Sequence, residues 1–403
     1  LTPTLSLTEQ WTDNFFVAGR GRTENLRSTL SGGLDLLMNL PSTQGSLSSS
    51  MAVSHDTARD DTDFNYFPSF SGSLTHTFSP RLSVSVSDTF RRDDDPLLAD
   101  PNGLQNQRRT FISNSFSVAV NWLVDVVQTQ FYYRNSLFVA DSDTTISHII
   151  GANATVPIGA LHSLSGGYEL SFQDASGEND ASQVSNRIWA ALSRQLNVFT
   201  TAGVSTSFSY ITGEGSDSRI ANISLFAAYG TPAGLSVSGS VGYGVFDSDG
   251  ASSLTHLFTA TLAASYRFTR GVVSLAFFQD FRQTADEGEN FGVVMTRSVN
   301  GTFTYPITPF IDGSIFAQYS RNEPVSGGGS QISSATSVFT AGASLGWRIV
   351  TWLSLELSYY YIERRSDHSS QISSSGGSQN QRNTPNLENS TENRATLTLS
   401  ARF

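Results

Sequence analysis

The sequence predicts an all-β protein: a single antiparallel, up-and-down β-barrel of the membrane-spanning kind, with about 20 strands and bounds of about 18–22. Three observations carry this. Apolar and polar residues alternate with period two, the alternating runs are long for strands, and the connections fall into two strictly alternating length classes. Composition sets the frame. The 403 residues include 15% charged and 38% hydrophobic residues, 33 Gly and no Cys, and all 24 basic residues are Arg. One Ser/Gly/Thr-rich, aromatic-rich texture runs throughout without a linker, so 1–403 reads as one domain with no separate plug or periplasmic domain. Without Cys, disulfides, thiolate zinc sites and thiol nucleophiles are excluded. A formal charge of −11 argues against a nucleic-acid partner, which favours a basic surface. No stretch approaches about 18 consecutive apolar residues, the least a membrane helix needs. No basic n-region or apolar h-region opens the chain, which reads as a mature form or an unexported one.

The alternation is explicit. In the run from Leu82 to Ser87, Leu82, Val84 and Val86 fall on one face and Ser83, Ser85 and Ser87 on the other. The stretches Leu235–Val245, Leu353–Tyr359 and Ala395–Phe403 repeat it. A repeat of 180° per residue means strands with one apolar and one polar face. Soluble sandwich strands average about five or six residues. Runs here reach about 9–14, the length a tilted strand needs to cross a bilayer.

The connections follow in order from Leu5. Tight turns fall at 40–45, 78–81, 122–125, 156–159, 194–197, 230–234, 268–271, 305–309 and 348–351, most of them carrying Pro, Gly, Asp or Asn. Longer polar segments fall between them, at 17–25, 57–65, 92–109, 139–145, 174–183, 212–218, 247–253, 284–290, 321–335 and 363–393. Outer-membrane barrels sort their loops this way, with short periplasmic turns and long extracellular loops. Both termini then fall on the periplasmic side. Aromatic residues mark the two interfaces. Phe78, Trp122, Tyr229, Phe268, Tyr305, Trp347 and Trp352 flank the short turns; Phe90, Tyr210, Phe246 and Tyr361 lie towards the long loops.

The last run, Ala395-Thr-Leu-Thr-Leu-Ser-Ala-Arg-Phe403, resembles the C-terminal assembly signal of Gram-negative outer-membrane β-barrels, with Leu397, Leu399 and Phe403 at the apolar positions. The resemblance implies recognition by the barrel-assembly machinery and residence in the bacterial outer membrane, among its lipid and lipopolysaccharide. The opening, Leu5-Ser-Leu-Thr-Glu-Gln-Trp-Thr-Asp-Asn-Phe15, resembles the first strand of porin-like barrels linked with exopolysaccharide export loci. Similar barrels sheathe cytochromes in electron conduits, so the resemblance also admits a periplasmic export or cytochrome partner.

The polar parity defines an expected lumen of small hydroxyl residues, among them Ser73, Ser85, Ser117, Ser205, Ser240 and Thr398. Charges at that parity are few and of both signs: Asp35, Arg91, Arg134, Glu169, Arg187, Arg267, Asp280, Arg282, Asp312, Glu356 and Arg394. A ring of one sign, as in an ion filter, is not indicated. The third long loop is the candidate constriction, through Arg91, Arg92, Asp93, Asp94, Asp95, Asp100, Arg108 and Arg109, with Leu97 and Leu98 as wall anchors. The alternative for that loop is a solvated extracellular segment.

Other chemistry finds little footing. His55, His148 and His256 fall on the lipid-facing parity, and no nucleophile–base pair converges for a hydrolase. Asp60–Asp63, Asp141/Asp143 and Asp247–Gly250 lack calcium-loop spacing and read as turns. No metal or cofactor is expected. The expected function is an outer-membrane channel for passive passage of hydrophilic solutes or exported polymer. The alternative is a barrel sheathing a partner such as a multihaem cytochrome; an outer-membrane hydrolase is a third reading.

Overall fold

Alternation and turn chemistry build the molecule strand by strand. In the computed structural model, a 20-stranded antiparallel sheet closes on itself. The strands are β1 (Thr2–Thr12), β2 (Asn25–Asn39), β3 (Thr43–Asp56), β4 (Asn65–Ser79), β5 (Leu82–Asp93), β6 (Phe111–Val124), β7 (Val127–Ala140), β8 (Asp143–Ile158), β9 (His162–Ser176) and β10 (Ala181–Asn197). They continue as β11 (Thr200–Gly213), β12 (Ser218–Gly230), β13 (Leu235–Ser248), β14 (Thr255–Phe268), β15 (Gly271–Gln283), β16 (Val293–Pro306), β17 (Ile311–Pro324), β18 (Thr336–Val350), β19 (Leu353–Ser366) and β20 (Ser390–Arg402). One short helix, α1 (Pro96–Ala99), lies between β5 and β6. The structure describes residues 1–19, 21–59, 64–99, 108–141, 143–176, 181–213, 217–249, 254–283, 293–325, 335–367 and 389–403.

Each strand pairs with the next, and β1 pairs with β20 from Thr4↔Arg402 to Thr12↔Arg394. Closure leaves no edge, so every strand has a ladder partner on both sides. With strands about 4.8 Å apart and tilted about 40°, twenty of them close a circular ring roughly 40 Å across.

Three features differ from the sequence reading. The strands are longer, from 11 residues in β1 to 17 in β10, because the closed ladder keeps pairing polar residues beyond the apolar band. The segment 139–145, read as a long loop, is a tight hairpin in which Ala140 pairs with Asp143. The turn placed at 194–197 falls two to three residues later. β10 runs on to Asn197, whose Oδ1 accepts the Phe199 amide at 2.8 Å. Such an Asx turn outweighs the apolar Leu196 as a strand signal.

The two faces meet different surroundings. Outward residues form an apolar belt: Ile223 is 56% and Leu225 63% exposed on β12. A continuous exposed apolar belt of this extent has no stable place in water. Inward residues form rows of hydroxyls bonded across neighbouring strands: Ser46–Ser73 at 2.9 Å, Ser87–Ser117 at 2.7 Å, Ser163–Ser193 at 2.6 Å, Ser205–Ser224 at 2.7 Å and Ser314–Ser344 at 2.8 Å. Each such pair contributes about 0.2–1 kcal/mol to the sheet.

Depth of burial is uneven along the barrel axis. The most deeply buried side chains, including Phe15, Phe111, Phe246, Ile362 and Glu392, all lie at the long-loop end. Phe246 therefore leaves the set of interface aromatics; it points inward and packs with Ile211, Val293 and Val325. The other interface aromatics named at that end, Phe90, Tyr210 and Tyr361, keep the outward parity.

Candidate functional site

The long-loop end of the lumen is narrowed by chain that folds inward. α1 lies against the inner wall, with Ala99 packed on the buried cluster of Phe111, Phe138 and Ala140. The Phe111 and Phe138 rings stack at 5.5 Å. Ala99 makes the apolar anchor that the sequence assigned to Leu97 and Leu98. Leu98 is 43% exposed, and its carbonyl accepts from Arg91 Nη2 at 2.6 Å. Asp93 Oδ1 accepts the amides of Asp94 and Asp95, at 2.7 and 3.0 Å, which fixes the turn leading into the helix.

From that turn Asp94 enters a buried guanidinium cluster. Arg27 of β2 donates to both Asp94 oxygens, at 2.8 and 2.7 Å, and to both Asp56 oxygens, at 2.7 and 2.9 Å. Arg59 and Arg108 add bonds to Asp94 at 2.9 and 3.0 Å. Asn25 Nδ2 completes Asp56 at 2.8 Å. The Phe15 ring, 1% exposed, lies beneath three guanidiniums: Arg108 at 4.6 Å, Arg27 at 5.5 Å and Arg59 at 5.6 Å. Such fork-shaped pairing suits Arg, whose planar donors match two carboxylates at once.

Asp95 reaches further across the lumen. Its carboxylate meets Arg394 of β20 at 2.5 and 3.3 Å. Arg394 also donates to Glu392 Oε1 at 3.1 and 3.0 Å, and Thr12 bonds the same oxygen at 3.1 Å. The loop that leaves β5 is thereby tied to β2 and to the β20–β1 closure seam.

Of the eight proposed constriction residues, Asp94, Asp95 and Arg108 enter this cluster, and Arg91 and Asp93 brace the loop. Arg92 takes the outward parity and donates to the Tyr66 carbonyl at 2.7 Å. Arg109 pairs with Asp143 at 3.2 Å. Asp100 lies outside the described residues. The sequence reading missed Phe15, Arg27, Asp56, Arg59, Arg364 and Glu392. For Arg27, Asp56, Arg364 and Glu392 the one signal was charge on the inward parity at strand ends; Phe15 and Arg59 lie outside the strands and carried none.

The lumen charges fall in two zones. Glu169 accepts from the Tyr132 hydroxyl at 2.7 Å, Arg134 lies over that ring at 4.7 Å, and Arg187 is in register with Glu169. Gly151 on β8 makes this possible, since a Cβ there would meet the Tyr132 ring at 2.2 Å. Asp280 and Arg282 lie at the long-loop end of β15. Asp35, Arg267, Asp312 and Glu356 lie nearer the short turns, where Asp35 pairs with Arg402 at 3.7 Å. At the seam Leu397 and Leu399 lie outward, and Phe403 stacks on Trp352 at 6.0 Å. His148 and His256 face outward, bonded to Tyr133 and Tyr243 at 2.8 and 2.6 Å. Among the described residues no group of three or more His, Cys, Asp or Glu could hold a metal ion. The Asp60–Asp63 piece, Gly250 and most of 363–393 lie outside them.

The loop carboxylates carry a pH prediction. Burial pushes the Asp94 carboxyl up, but the Arg27 hydrogen bond and the charges of Arg108, Arg27 and Arg59 outweigh it and hold it below the usual range. Burial likewise pushes Asp95 up, and Arg394 and Arg108 hold it well below that range. A carboxyl with a depressed pKa favours the pinned loop above its free value, about 3.9, and loses that preference as pH falls through the depressed one. Hydrogen exchange of amides 97–99, which donate to Asp95, is therefore expected to stay protected from pH 7 to about 4 and to lose protection below that. Constant protection down to pH 2 would contradict it.

A closed antiparallel barrel with an apolar belt, a hydroxyl lumen and an inward-folded loop is the architecture of outer-membrane β-barrel proteins. The chain is similar in fold to the siderophore receptor PirA from Pseudomonas aeruginosa, at 12% identity and a TM-score of 0.50, covering 100% of this chain and 80% of that one. It is similar also to a variant of the ferric enterobactin receptor PfeA from Pseudomonas aeruginosa, at 11% identity and a TM-score of 0.55, covering 100% and 80%. No protein-family model and no curated protein sequence matches the chain.

Proposed function

We propose that this protein is an outer-membrane channel for passive passage of hydrophilic solutes, with its termini on the periplasmic side. The observation that carries the reading is the division of one closed sheet into an apolar outer belt and a hydroxyl inner wall. Such a wall suits hydrated solutes, small or polymeric, and the Asp94–Asp95 loop supplies the narrowest part. An exported polysaccharide is one cargo that fits. The sheath reading needs a lumen free along its length, and Phe15 and α1 inside the long-loop end weigh against it.

At the outward long-loop rim, Arg297 and Arg321 flank Glu323 at 3.3 and 2.7 Å. Arginines at that depth suit lipopolysaccharide phosphates. The outward leucines and Phe403 of β20 remain the proposed signal for the barrel-assembly machinery.

Reconstitution in planar bilayers tests the channel. The expected result is a stable, ohmic conductance with weak preference between small cations and anions. No conductance, both from the whole chain and from a variant with residues 94–107 replaced by a short Gly/Ser link, sinks the reading. A multihaem cytochrome that co-purifies in fixed ratio would favour the sheath instead.

A further inference from the structure

Around Asp95 the lumen holds more guanidinium donors than acceptors. Arg364 of β19 is 4% exposed, and its Nε, Nη1 and Nη2 all lack a hydrogen-bond partner among the described residues. It has one ion pair, to Glu392 Oε2 at 3.8 Å from Nη1. Closing that gap would engage one of the five N–H donors of the group and leave four. Arg108 Nη2 is also buried without a partner, while its Nε donates to the Phe15 carbonyl at 2.9 Å. Beside them Arg394 spends its donors on Asp95 and Glu392. Glu392 pairs with both Arg364 and Arg394, Arg394 pairs with Asp95, and Arg108 pairs with the adjoining Asp94, so the groups share one small volume. A buried charge without hydrogen-bond partners is costly, and an oxygen-rich anion removes the cost.

We propose that Arg364, Arg394 and Arg108 form a lumenal binding site for an oxyanion group of the passing solute, a carboxylate or a phosphate. In this structure the Asp95 carboxylate stands in for it. Asp95 meets Arg394 through two nitrogens and two oxygens, the fork geometry by which Arg takes a carboxylate or phosphate. The unpartnered nitrogens are closed to solvent, so the incoming anion must displace Asp95 and the turn that carries it. Arg364 then supplies the donors that Asp95 leaves unused. This inference rests on the channel reading for its solute, but the binding itself does not require conduction.

The test uses the full chain folded in detergent micelles. Inorganic phosphate and glucuronate are titrated separately against chloride at constant ionic strength, and the thermal midpoint is followed. A saturable rise with either is expected, phosphate alone pointing to a phosphorylated solute and glucuronate alone to an acidic sugar. Asp95→Asn should bind the effective anion about tenfold more tightly, and Arg364→Met about tenfold more weakly. No saturable rise with either anion, in wild type and Asp95→Asn alike, overturns the proposal. So does wild-type affinity in Arg364→Met. If Arg364→Met does not fold, judged by heat-modifiable migration, the Asp95→Asn comparison decides. Anion binding without any conductance would retain this site and remove the channel.

Discussion

Asp94→Ala is expected to lower the stability of the long-loop end by about 3–5 kcal/mol, the usual result of removing one partner from a buried ion network. Three guanidiniums, Arg27, Arg59 and Arg108, lose their shared carboxylate; Arg27 keeps Asp56 at 2.7 Å, Arg59 keeps a longer ion pair to Asp56 at 3.7 Å and Asn65 at 2.9 Å, and Arg108 keeps the Phe15 carbonyl at 2.9 Å. The freed turn should swing from the wall and raise single-channel conductance. Urea midpoints in micelles, exchange of amides 97–99 and conductance measure the three effects. Because the groups are coupled, Asp94→Ala combined with Arg27→Met should cost less than the sum of the single changes. Strict additivity, with unchanged conductance, would mean that Asp94 does not hold the constriction.

The second large effect concerns the outer belt. Val241 on β13 faces outward and is 51% exposed, whereas its neighbour Ser240 faces inward and bonds Thr261 at 2.7 Å. Val241→Arg is expected to destabilise the barrel in lipid by about 2–4 kcal/mol, the cost of a cation near the bilayer midplane. Ser240→Arg, one residue away, should change stability little and alter ion selectivity. Refolding into lipid vesicles followed by urea titration separates the two. Equal losses at both positions would refute the assignment of faces.

Much of this fold was readable because a closed barrel writes its geometry locally. Leu235, Val237 and Val241 alternate with Ser236, Ser238 and Ser240 whatever strand lies beside them, and the parity follows from the backbone. The short hairpins were readable for the same reason, through the Pro, Gly, Asp and Asn that bend them. Strand ends were less so: Ala140 and Asp143 still pair, and Ala140 is buried against Phe111 and Phe138, contacts that a short polar segment does not announce. The buried charge cluster was half readable. Asp93, Asp94, Asp95 and Arg108 stand out as a charged run, but their partners come from distant segments. Asp95 meets Arg394 from 299 residues away, and no periodic pattern announces such a contact. Phe15 was read as the end of the first strand, although it packs beneath guanidiniums. Closure, which makes β20 the neighbour of β1, brings Arg394 and Glu392 beside the groups carried by β2, β3 and the loop after β5.

The serine ladders have a consequence for how a solute would travel. In pairs such as Ser46–Ser73 and Ser205–Ser224 either oxygen can be the donor. A hydroxyl rotor reverses its polarity by turning about one bond, without moving the backbone. A solute sliding past therefore finds an acceptor or a donor at each step, as it needs. The energy along that part of the path is nearly flat, so the wall offers low friction and little discrimination of its own. Resistance and choice are then concentrated in one short stretch at the arginine-rich end. In the proposed channel a change in cargo would require rebuilding only that stretch, while the rest of the barrel would serve as a general slide.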